Sequence, residues 1–259
     1  MSFEDILYKK SHGVAKIVIN RPEVYNAFRT HTMKEIASAL TDAEHDHLVG
    51  VVVLTGAGDK AFCTGGDLKE AAQPGGYATE MDYWHVAVHR TIRNIPKPVI
   101  AAVNGYAIGG GNILHLICDL TIASETARFG QAGPRVGSFD AGLGVSYLTR
   151  IVGEKKAREI WFLCRQYTAQ EALDMGLLNR IVPPDKLEEE VDKWCQEILL
   201  LSPTALKFCK LAFNAETDHM LGFEGWSHAA VRLFWASEEA AEAKKAFAEK
   251  RKPDFTRFR

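Results

Sequence analysis

Lys97-Pro98-Val99-Ile100-Ala101-Ala102-Val103-Asn104-Gly105-Tyr106-Ala107-Ile108-Gly109-Gly110-Gly111 runs from a short β-rich segment into three glycines, and Gly111–Leu116 then has helical apolar spacing. Val- and Ile-rich Pro98–Val103, bounded by Pro and Asn, predicts a buried strand. Glycines ahead of a helix let a ligand approach the backbone and leave free amides at the positive helix end. Such an end holds a phosphate or a developing oxyanion. Tight strand–helix packing explains a glycine triplet equally well. No Gly-Lys-Ser/Thr follows and GxGxxG is not matched, so this is neither a P-loop nor a dinucleotide fingerprint.

A second glycine site, Ala61-Phe62-Cys63-Thr64-Gly65-Gly66-Asp67, comes shortly after another predicted strand, Gly50–Leu54. Val14–Ile19 and Leu120–Ala123 have the same strand character, and His31–His45 and Tyr83–Asn94 carry helical spacing between them. Strands alternating with helices predict an α/β core. No fixed-period repeat is visible.

After Arg150 the pattern is mostly helical: Glu154–Cys164, Thr168–Met175, Asp185–Leu200 and Pro203–Ala215. Thr168 and Glu171 form a capping-box pattern, and Ser202-Pro203 reads as a cap with proline at the first helical position. Gly222–Lys250 reads as one long or broken amphipathic helix carrying Trp226, Phe234, Trp235 and Phe247. Those aromatics either close the chain's own core or dock on another subunit. The division expected is a core over residues 1–200 and a helical region over residues 201–259.

The net charge of -2 over 259 residues gives no support for a nucleic-acid or anionic-membrane partner. Five cysteines show no metal or CxxC spacing, so core thiols in a reducing compartment and no metal site are expected. No signal layout and no apolar run of spanning length is present, and a cytoplasmic location is the expectation.

Together the Gly-Gly-Asp loop, the Lys97–Gly111 stretch and Phe129-Gly130-Gln131 resemble the crotonase (enoyl-CoA hydratase/isomerase) superfamily over essentially the whole chain. The resemblance implies a crotonase-like (ClpP/crotonase) α/β spiral of ββα units with a C-terminal helical region. It also implies trimers or dimers of trimers, and an acyl-CoA substrate. The oxyanion-hole amides map to Gly66 and Gly110, with Gly65 beside them. On the CoA side the matching positions are Lys69, Phe247 and Lys250, and Tyr77 matches a tyrosine of a loop over the substrate. A basic C-terminal cluster is also an ordinary solvated surface.

The acids narrow the resemblance. Simple hydratases carry two glutamates, where this chain has Ile113 and Gly133, so hydration by that mechanism is not expected. Gly130–Asp140 and Arg158–Tyr167 instead resemble the 1,4-dihydroxy-2-naphthoyl-CoA synthases of menaquinone biosynthesis. In one class of those lyases a glycine leaves room for bicarbonate as the base, and Gln131, Gly133 and Trp161 match that pocket. No tightly bound cofactor is implied beyond that bicarbonate. Asp140 and Ser138 would stand beside the reacting part of the acyl group. Two positions depart from the synthases: Trp235 replaces a tyrosine and Ala71 an arginine. The related 2-ketocyclohexanecarboxyl-CoA hydrolases share the Gln-x-Gly and Gly-Ser-x-Asp features, so ring cleavage is the second reading. A dehalogenase with Asp140 as nucleophile and a non-catalytic acyl-CoA-binding paralogue are further alternatives.

Overall fold

A computed structural model of the protein describes residues 2–71, 79–140 and 142–259. β1 (Ile6–Ser11) and β2 (Val14–Ile19) pair as an antiparallel hairpin, turned by His12 and Gly13 at positive φ. The chain continues with β3 (Val51–Gly56), β4 (Ala61–Cys63), β5 (Val99–Val103) and β6 (Tyr106–Ile108). β7 (Leu120–Ser124), β8 (Arg128–Gly130), β9 (Gln166–Thr168) and β10 (Arg180–Val182) complete the strands. They sort into two sheets, ordered β1-β2-β3-β5-β7-β10 and β4-β6-β8-β9. Successive turns of chain lay one strand in the first sheet and the next in the second before a helix returns. This is the crotonase spiral of ββα units.

The four strands expected from sequence are β2, β3, β5 and β7. Every residue of β3 and β5 is buried, as parallel strands covered on both faces require, which explains their unbroken apolar runs. The second sheet gave no such signal. Its strands have three residues each, too few for any periodicity to show.

Helix Thr30–His45 packs on helix Thr79–Asn94. The Thr168/Glu171 capping box forms, and Ser202 accepts a hydrogen bond from the Ala205 amide ahead of helix Pro203–Ala215. The long C-terminal pattern is two helices, Leu221–Trp235 and Glu238–Ala248, because Ser237 leaves helical geometry and caps the Ala240 amide. Phe234 and Trp235 are half-buried, whereas Phe208, Phe213, Phe223, Trp226 and Leu233 are exposed.

Lys210, buried in helix Pro203–Ala215, joins that region to the core. It donates to the carbonyls of Ile92 and Lys97 and to Asp119 Oδ2, 2.6 Å away. Burial lowers the Lys210 pKa against the pull of Asp119, and burial raises the Asp119 pKa against the pull of Lys210. All five cysteines are free, and among the described residues no single helix is long and apolar enough to cross a membrane.

Candidate active site

β4 and β6 run parallel with Cys63 opposite Ala107, so Gly66 and Gly110 each lie three residues past a paired position. Register therefore carries both glycine loops to the same end of the second sheet. A parallel bridge joins Phe28 to Gly66 through the amides of Phe28 and Asp67, which donate to Gly65 O and Phe28 O at 2.8 Å. The Gly66 N–H takes no part in that bridge. Gly110 is the first residue of helix Gly110–Leu116, where an N–H has no intrahelical acceptor.

Glycine is required here by contact. A Cβ on Gly110 would lie 2.7 Å from the Phe28 ring, and one on Gly111 only 1.9 Å from Cys63 O. Gly65 has φ +89 and would place a Cβ 3.0 Å from Gly110 N. The acid of the Gly-Gly-Asp loop is structural: Asp67 accepts from Arg21 Nη2 at 2.9 Å and from the Lys69 amide at 2.9 Å. Asn26 fastens the other side by donating to Ala57 O and Ala61 O.

Both loops open on one cavity of about 760 Å³. Gly65, Gly66, Lys69 and Gly110 form part of its wall, as do Gln131, Gly133, Ser138 and Asp140. Trp161, Trp235 and Phe247 line it too. Of the remaining expected residues, Lys250 is exposed and outside the wall, where Lys244 and Arg135 stand instead. Tyr77 lies outside the described residues.

A sequence profile described as enoyl-CoA hydratase/isomerase matches residues 9–257. The chain belongs to the enoyl-CoA hydratase/isomerase family. An enoyl-CoA hydratase structure from Mycobacterium avium subsp. paratuberculosis superposes with a TM-score of 0.87 at 31% identity, covering 98% of this chain and 100% of that one. An enoyl-CoA hydratase/isomerase from Xanthobacter autotrophicus gives 0.83 at 35% identity, over 96% and 93% of the two chains. One from Pseudoalteromonas atlantica gives 0.88 at 29%, over 98% and 100%.

Ile113 and Gly133 stand at the two places where the sequence resemblance puts the hydratase glutamates. Ile113 is buried, and its Cδ1 lies 2.7 Å from where a Cβ on Gly144 would stand. At Gly133 a Cβ would meet Ser138 O at 2.7 Å. Ile113 thus puts an apolar side chain on the cavity wall, and a tight turn occupies the space beside Gly133.

Around those positions the polar groups have definite partners. Asp140 Oδ1 accepts from the Gly142 amide at 2.8 Å, ahead of helix Leu143–Val152. The absence of side chains at Gly142 and Gly144 leaves room for that carboxylate. Trp161 commits its indole N–H to Gly144 O at 3.1 Å. Gln131 differs: it is 2% exposed, and neither its Oε1 nor its Nε2 has a hydrogen-bond partner among the described residues. A buried amide with both ends unsatisfied is costly and calls for a ligand or water.

Sequence reasoning missed a histidine–carboxylate cluster on the same wall. His85 and Asp82 from helix Thr79–Asn94, and His228 from helix Leu221–Trp235, all line the cavity. Behind them His89 Nδ1 lies 3.5 Å from Glu224 Oε1, and both residues are almost fully buried. Arg90 Nε bonds the other oxygen of Glu224 at 3.1 Å. Burial raises the Glu224 pKa, but the pull of His89 and Arg90 outweighs it and leaves the group below its ordinary value. The available signal was spacing: His85/His89 and Glu224/His228 each stand four apart, on one helix face.

Proposed function

We propose that this chain binds an acyl-CoA thioester, stabilises its enolate, and makes or breaks the adjacent carbon–carbon bond, as 1,4-dihydroxy-2-naphthoyl-CoA synthase does in ring closure. The observation that carries the reading is that Gly66 and Gly110 line one cavity, with no backbone acceptor for either N–H among the described residues, where Ile113 and Gly133 stand in place of two glutamates. As the thioester α-carbon loses its proton, charge moves to the carbonyl oxygen, and two preorganised N–H groups stabilise it there. Asp140, with Ser138 beside it in the wall, exchanges a proton with the second carbonyl of the acyl group. Lys69 serves the CoA end.

Gln131 is the residue that would hold a small oxyanion such as bicarbonate, because its buried amide lines the cavity with a donor that has no partner among the described residues. Bicarbonate bound there would supply a base. Trp161 would steady it by packing, since its donor is already engaged by Gly144.

A second reading, hydrolytic ring cleavage of the 2-ketocyclohexanecarboxyl-CoA type, is favoured by Trp235 and Ala71. Indole cannot accept or ionise as the synthase tyrosine does, and alanine offers no cation to a second carboxylate. We also propose that the exposed aromatics of the C-terminal helices meet other copies of the chain in a trimer or a dimer of trimers, a mass that light scattering reads directly.

The deciding experiment is turnover of o-succinylbenzoyl-CoA, 2-ketocyclohexanecarboxyl-CoA and crotonyl-CoA, each with and without bicarbonate. Turnover of either of the first two with little hydration of the third is the expected result. Fast crotonyl-CoA hydration would overturn the reading. Binding without turnover of any would mark a non-catalytic paralogue.

A further inference from the structure

Polar side chains gather on one wall of the cavity and have no part in the scheme above. His85 and Asp82 reach it from helix Thr79–Asn94, and His228 from helix Leu221–Trp235. Phe28, Met81, Ile113 and Val231 make other parts of the cavity wall apolar. The Phe28 ring lies 5.5 Å from that of His85, and its edge is 2.7 Å from where a Cβ on Gly110 would stand. One side chain thus spans from the Gly110 position to His85. An acyl group whose carbonyl rests on the Gly110 amide has the imidazole beside its far end.

The charges on this wall already answer one another. Asp82 Oδ1 lies 3.4 Å from His228 Nδ1, and Asp82 Oδ2 lies 3.1 Å from Arg232 Nε. Glu224 has His89 beside one oxygen at 3.5 Å and Arg90 beside the other at 3.1 Å. Burial first, then the neighbouring His89 and His228, hold the His85 pKa well below the ordinary 6.5, so its imidazole is uncharged. A carboxylate or an ammonium on the ligand would find no unanswered opposite charge on this wall, and its desolvation would oppose binding.

A hydrogen bond is what the wall lacks. His85 Nε2 is enclosed and has no hydrogen-bond partner among the described residues. The residue as a whole is half-buried and lines the cavity, which leaves its Nδ1 for a ligand to meet. An apolar ligand would strip water from that nitrogen and give nothing back, whereas a polar group restores the bond. A hydroxyl both donates and accepts, so it suits either tautomer of a neutral histidine.

We propose that His85 is a specificity-determining residue: the acyl group taken here carries a neutral hydroxyl, remote from the thioester, that hydrogen-bonds the His85 imidazole. The inference deepens the enolate reading and rests on it for the placement of the thioester. The hydroxyl is not among the reacting groups. It selects and orients the acyl part, and His85 neither gains nor loses a proton.

The test is calorimetric binding of benzoyl-CoA, 3-hydroxybenzoyl-CoA and 4-hydroxybenzoyl-CoA at neutral pH. None has an α-proton, so binding is read without turnover. Wild type is expected to bind one hydroxylated thioester about tenfold more tightly than benzoyl-CoA, the scale of one buried hydrogen bond. His85→Leu should erase that ratio by weakening the hydroxylated ligand alone. His85→Gln, which retains a donor and an acceptor, should keep part of it. A wild type that binds all three alike overturns the inference. So does a His85→Leu variant that keeps the ratio, or one that loses affinity for all three equally. Exchange of the α-protons of butyryl-CoA in D2O is read in parallel. No exchange beside an intact hydroxyl preference sinks the enolate reading and leaves the role of His85 standing; exchange without the preference does the reverse.

Discussion

The backbone nitrogen of Gly110 lies 3.0 Å from the point where a side chain on Gly65 would begin. Two loops from successive turns of the spiral therefore meet main chain to main chain. A side chain at either place would push the two loops apart, and with them the amides proposed to hold the thioester oxygen.

Gly110→Ala meets the Phe28 ring, whose free end has some ability to shift, whereas Gly111→Ala drives a methyl to 1.9 Å from the fixed carbonyl of Cys63. We expect Gly110→Ala to fold and lose turnover about a hundredfold or more, the scale of a lost oxyanion donor. Gly111→Ala should lose about 3 kcal/mol or more of stability as an overpacked backbone contact. Thermal unfolding and steady-state kinetics separate the two.

Asp140→Asn keeps an oxygen for the Gly142 amide and so preserves the turn ahead of helix Leu143–Val152. Turnover should fall by about two orders of magnitude or more with CoA affinity little changed. Near-normal turnover would remove Asp140 from the chemistry.

His115 is fully buried and bonded to Asn112 and Thr121, and burial alone pushes its pKa down to about 3 from an ordinary 6.5. The unfolded chain thus takes up the proton first as pH falls. Stability is complete above pH 6.5 and is lost progressively towards pH 3. Urea midpoints should decline as pH is lowered below about 6.5, the unperturbed histidine value, and His115→Gln should flatten that decline.

Lys210→Met should cost about 3–5 kcal/mol. It strands Asp119 and two carbonyls that the ammonium serves. The melting temperature reads this directly, and Asp119→Asn, which retains an acceptor for the amine, should cost less.

Much of this was legible along the chain. β3 and β5 announced themselves because strands covered on both faces must be apolar throughout. Gly66, Gly110 and Asp140 were singled out by the motifs around them, and the structure places all three on one cavity. The three-residue strands of the second sheet were not, nor was the break at Ser237, where a single side-chain cap decides between one helix and two. His85, His89, Glu224 and His228 carried only an i,i+4 spacing on two separate helices, which an ordinary solvated face also shows.

The amino-acid sequence by itself determined the α/β class, the placement of both glycine loops and the absence of the hydratase glutamates, since each depends on residues close together in the chain. Only the tertiary structure decided that β4 and β6 pair in the register that brings Gly65 against Gly110, and that helices far apart in sequence close His85 against His228. Register and helix docking are set by long-range packing, and no short stretch of residues encodes a distance to a partner it has yet to meet.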